Sequence, residues 1–169
     1  MPASSSNQQS LKAVSTILLA GFVAGTLDII AACTQYYINT GKGPGNVLRY
    51  VASGVFGKKA FAGGVPIAVW GLFFHFVIAF GLTIFFFWLY PKIKLLSKNV
   101  ILTGLIYGIF AWVVTTLIIV PLSNTPPPAP FDIRKAAVAI LILIFCIGLP
   151  IAVIISRCYS KNRAANSGE

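Results

Sequence analysis

Apolar residues run almost without interruption through four stretches of this chain, about Ala13 to Ile38, Val65 to Tyr90, Asn99 to Pro121 and Ala136 to Ser156. Each exceeds the roughly 20 residues that cross about 30 Å of hydrocarbon at about 1.5 Å per residue. A strand in lipid would leave backbone donors and acceptors unpaired, so all four are predicted to be helices. Residues 1–12, which include Ser4, Ser5, Ser6, Asn7, Gln8 and Gln9, lack any periodicity and predict a mobile polar N-tail. Residues 157–169 form a basic C-tail. The predicted fold is all-α, an integral membrane bundle of four transmembrane helices forming a single domain over 13–156.

Between the first two spans, Val47, Leu48, Val51 and Val55 recur near helical spacing, while Arg49, Ser53, Lys58 and Lys59 fall elsewhere. That pattern predicts a short interfacial helix, lying at the headgroup level or dipping partway in. Gly54, Gly57, Gly63 and Gly64 make it breakable. The connection from Asn124 to Pro130 is too rich in proline for a helix and predicts a stiff extended strap. Asp132, just before the fourth span, can cap it or pair with Arg134 or Lys135.

Composition agrees with the pattern: 57% of residues are hydrophobic and only 9% charged, too few charges to cover a soluble domain of 169 residues. The net charge of +10 sets thirteen Lys and Arg against Asp28, Asp132 and Glu169. These cations lie between the apolar runs, where anionic headgroups lie, so the expected partner is membrane lipid rather than nucleic acid. Arg49, Lys58 and Lys59 are the candidate headgroup contacts. Four spans put both termini on one side, and seven of the thirteen cations lie on that side. The tight group Pro91-Lys92-Ile93-Lys94 and the basic C-tail favour cytoplasmic termini.

Ionisable residues inside spans are rare and usually mark a site or a pathway, which singles out Asp28 and His75. Each sits ten positions from the outer end of its predicted span, about 15 Å deep. The same depth rule selects Trp112 and Thr115 on the third span and Cys146 on the fourth. Pro150 has no N–H to offer the Cys146 carbonyl, and with Gly148 beside it this is the expected kink of the fourth helix. Such a layer could bind a proton, a cation or a small polar ligand, or the acid and the imidazole could simply clamp two helices. The Gly-x-x-x-Gly pairs Gly21/Gly25 and Gly104/Gly108, together with Gly71, are expected at close helix contacts.

Several classes find little support. Cys33, Cys146 and Cys158 are too scattered for a disulfide framework or zinc site, and one histidine excludes a bis-histidine haem. No metal or other cofactor is expected. Ile30-Ala31-Ala32-Cys33 has the form of a lipoprotein cleavage box, but Asp28 interrupts the run and apolar sequence continues to Ile38, so retention as a helix is expected. Gly41-Lys42-Gly43-Pro44-Gly45 lacks the rest of a phosphate loop and reads as a turn. No nucleophile with its base, and no paired carboxylates, argue for an enzyme.

Trp70-Gly71 followed by His75, then Tyr90-Pro91-Lys92-Ile93-Lys94-Leu95, Gly104 and Gly108, and Pro121-Leu122 with Thr125-Pro126-Pro127 and Phe131, form an ordered set over residues 68–131. In this set the chain resembles the YagU-like family of bacterial inner-membrane proteins, whose activity is unassigned. The resemblance implies a multi-pass inner-membrane protein with Pro91 to Lys94 cytoplasmic; Asp28 has no counterpart in it. The functional expectation is a small-solute or proton-linked membrane protein using Asp28 and His75. The alternatives are a structural or assembly subunit, working as a homo-oligomer or with a membrane-protein partner, and a lipid-binding membrane-stress protein.

Overall fold

The computed structural model describes residues 3–93, 96, 98–127 and 132–166. Lys94, Leu95, Phe131, Glu169 and the stretch Pro128 to Pro130, all used above, lie outside the described residues. Among those described there are helices and no strand. Helix α1 spans Ala3–Thr40 and α2 Gly45–Phe56, followed by a 3₁₀ turn over Gly57–Ala62; α3 spans Val65–Leu89, α4 Val100–Leu122 and α5 Ile133–Asn166. Helices α1, α3, α4 and α5 are long and apolar enough to cross a membrane, α1 from Ser10 onward. This is a multi-pass membrane protein built as a four-helix bundle.

Two boundaries differ from expectation. The polar segment 3–12 is helical and continuous with α1. Ser, Asn and Gln nucleate helix poorly, but adding residues to an existing helix avoids the nucleation cost, so the long apolar span can carry the turns before it. At the other end α5 continues beyond its apolar stretch to Asn166.

The chain specifies the other ends locally. Gly41, at φ 67°, takes the left-handed conformation that closes α1, with its N–H on the Tyr37 carbonyl at 2.8 Å. The Asn99 side chain accepts from the Ile101 and Leu102 amides, both at 3.1 Å, and starts α4. Asp132 does the same for α5, accepting from the Arg134 and Lys135 amides at 2.9 and 3.4 Å.

Around the bundle, α1 lies against α3 and α5, and α4 lies against α5. Both glycine pairs sit at these contacts. Gly21 faces the Phe80 ring, and Gly25 faces Phe76 and Ala79, all on α3; Gly104 meets Leu149, and Gly108 meets Ile144, on α5. Gly148 comes back the other way against the backbone of Gly104 and Gly108. Small residues let the backbones approach and gain dispersion contact where lipid offers no hydrophobic drive. Helices α3 and α4 meet instead through aromatic rings, with Phe85 stacked on Phe110 and Phe86 edge-on to Tyr107.

The terminus half of the bundle is closely packed. Phe86, Ile151, Ala152 and Ile155 are fully buried there, and the buried Tyr107 hydroxyl donates to the Leu82 carbonyl at 2.6 Å. The opposite half, toward α2, is hollow.

Candidate binding cavity

A cavity of about 560 Å³ occupies this half, walled by all four spans and roofed by α2. Asp28 and Gln35 reach it from α1, Tyr50 and Val51 from α2, Phe74, His75 and Leu82 from α3, Trp112, Thr115 and Thr116 from α4, and Leu143 and Ile147 from α5. Most of the wall is hydrocarbon and aromatic ring, with a few polar groups spread along it, the usual composition of a small-molecule site.

The register of α1 and α3 sets the polar centre. His75 Nε2 lies 2.9 Å from the Gly25 carbonyl oxygen. A carbonyl only accepts, so Nε2 carries the proton and donates it to Gly25. Gly25 is three residues from Asp28, on the same face of α1, and its missing side chain leaves room for α3 to come close. The acid and the imidazole therefore share a level and interact electrostatically. No hydrogen bond or ion pair within 4.0 Å joins them; Lys135–Asp132 is the ion pair that occurs among the described residues. Both line the same cavity, so water or a ligand's polar group can bridge them.

Trp112 and Thr115 join Asp28 and His75 on the cavity wall. The Thr115 hydroxyl donates to the Ala111 carbonyl at 2.8 Å, which leaves its oxygen able to accept. Cys146 stands behind the wall, half-buried and within electrostatic reach of Asp28. Gly148 belongs to the α4–α5 crossing described above.

Two features of the wall were not foreseen. Part of α4, Val114–Ile119, and part of α5, Ile144–Gly148, are π-helix. The Val120 amide reaches the Thr115 carbonyl and the Leu149 amide the Ile144 carbonyl, each five residues back. Each π segment ends two residues before a proline, Pro121 or Pro150, whose ring would clash with the carbonyl four residues earlier in regular α geometry. Widening by one residue relieves that clash and re-aims the side chains around it; both segments border the cavity, through Thr115, Thr116 and Ile119 and through Ile147. The prolines were the readable signal.

The roof is fastened at both ends. Arg49 donates to the Gly45 carbonyl at 3.1 Å, to the Gly63 carbonyl at 3.1 Å and to Asn46 Oδ1 at 2.9 Å, tying the start of α2 to the approach of α3. Its guanidinium is thus engaged within the connection, while Lys58 and Lys59 stay exposed on the 3₁₀ turn. Gly71 abuts the Leu48 carbonyl so closely that a Cβ would have no room. From the third connection, Asn124 donates its backbone N–H to the Gly54 carbonyl at 2.9 Å and its side-chain amide to the Val55 carbonyl at 3.2 Å. The buried positions on α2 are Ala52 and Ser53, so small residues rather than the Val47 to Val55 stripe set its close approach.

Comparison with protein-family models, with curated proteins and with solved structures finds no significant match to this chain.

Proposed function

We propose that this membrane protein binds and moves a small solute through the cavity, in a step linked to protonation of Asp28 and His75. Trp112 and Thr115 would line the bound solute, while Cys146, which is not among the cavity's lining residues, would take no direct part. The observation that carries the reading is an acid and an imidazole on neighbouring spans opening onto one cavity without bonding to each other. His75 ties α3 to α1 through the Gly25 carbonyl, but Asp28 is not used in that tie, and an intramembrane acid on a cavity wall points to a site. The hollow half beneath α2, over a closely packed half, resembles one state of an alternating cycle.

On this reading the protein lies in a bacterial inner membrane with both termini cytoplasmic, as a YagU-like protein would, and the cavity opens away from the cytoplasm. It is not an enzyme. The glycine faces that could have held an assembly partner are occupied within the chain, which weighs against the subunit reading. Flux of candidate solutes and protons into proteoliposomes tests the proposal: wild type conducts, Asp28→Asn and His75→Ala each reduce flux at least tenfold. Equal flux in all three removes it.

A further inference from the structure

The cavity does not end at α2. Gln35, Tyr50, Ala32 and Ala139 line both it and a second depression between α1, α2 and α5, which opens at the connection face and carries Lys42 and Lys135 on its rim. A groove beside it adds Arg134 next to the same Lys135. The path from outside to Asp28 and His75 therefore passes a vestibule rimmed by cations.

The charge inventory there is one-sided. Asp132, 4.0 Å from Lys135, offsets part of that lysine's charge. Arg49 stands behind the vestibule wall, donating to Asn46, itself a lining residue. Burial pushes the Tyr50 phenol above its ordinary value, so at neutral pH it faces the opening as a hydrogen-bond donor. At the inner end the path reaches an acid and an imidazole, Asp28 and His75.

We infer that the vestibule of Lys42 and Lys135 selects organic anions with an apolar body, the head caught at the rim and the body passing into the apolar cavity. The inference rests on the cavity being a solute site and adds the sign and shape of the solute. Fields of this kind concentrate anions and repel cations at a cleft mouth, an effect that salt weakens. The chemistry recognised is that of a carboxylate or phosphate on a hydrocarbon body, from a free metabolite or from a lipid.

Binding of 3-phenylpropionate, 3-phenylpropanol and 3-phenylpropylammonium to the whole protein in zwitterionic nanodiscs, followed by calorimetry, tests this. The anion should bind tightest and the ammonium weakest. Lys42→Gln with Lys135→Gln should weaken the anion about fivefold and leave the alcohol unchanged, an exposed-charge effect that high salt also removes. The same charge change on the terminus face, Lys12→Gln with Lys98→Gln, should alter nothing. Loss of the anion's binding in phosphatidylglycerol nanodiscs would assign the site to a lipid headgroup; retention would assign it to a free anion. Equal binding of all three probes, or insensitivity to the vestibule change, overturns anion selection while leaving the cavity as a site. No binding of any probe overturns both.

Discussion

Gly71 sets how near α2 comes to α3, because a methyl there would overlap the Leu48 carbonyl, a backbone atom that only moves with its helix. Gly81, on the same helix, has open space around it. Gly71→Ala should therefore cost about 1–3 kcal/mol in denaturant unfolding, as overpacking does, while Gly81→Ala stays within about 0.5 kcal/mol. Tyr107→Phe removes one buried hydrogen bond and should cost about 0.5–1 kcal/mol by the same measurement. At this scale the sequence identified residues better than partners. Depth could be counted along Asp28 and His75, but the bond from His75 to Gly25 depends on how two helices are rotated about their axes, which spacing within one helix does not determine.

The two segments that shape the cavity, α2 and the π-helical stretches, are legible in the chain to different degrees. Amphipathic spacing revealed α2, and its glycines revealed the breaks. Its role as a roof came from Arg49 and Asn124, polar side chains whose partners lie 14 and 69 residues away. Arg49→Leu removes three of these bonds and should raise amide exchange across residues 45–62 on the order of tenfold, leaving α1 and α3 unchanged. Unchanged exchange would mean that packing on Gly71 and the Asn124 bonds hold the roof without Arg49. The prolines at 121 and 150 announced irregularity, but proline permits a kink or a widened turn, and the choice between them is made by the helix alongside. Helix α5 crosses the glycines of α4 there, where backbones touch and little bending is tolerated.

For the whole molecule, hydropathy and length sufficed for four spans, since lipid leaves the backbone no other means of pairing. What hydropathy does not report is that the bundle is solid on its terminus half and hollow on the other, because apolar side chains serve equally as filling and as walls. That asymmetry is the centre of the account. The most direct test replaces Cys33, Cys146 and Cys158 by alanine, then places single cysteines at Asp28, His75, Thr115 and Ile151. An impermeant anionic methanethiosulfonate is applied to either face of proteoliposomes. Cysteines at 28, 75 and 115 should react from the face bearing α2 and from that face alone, and the one at 151 from neither. Silence at all three cavity positions, or reaction from the terminus face, would contradict a one-ended cavity holding the acid and the imidazole.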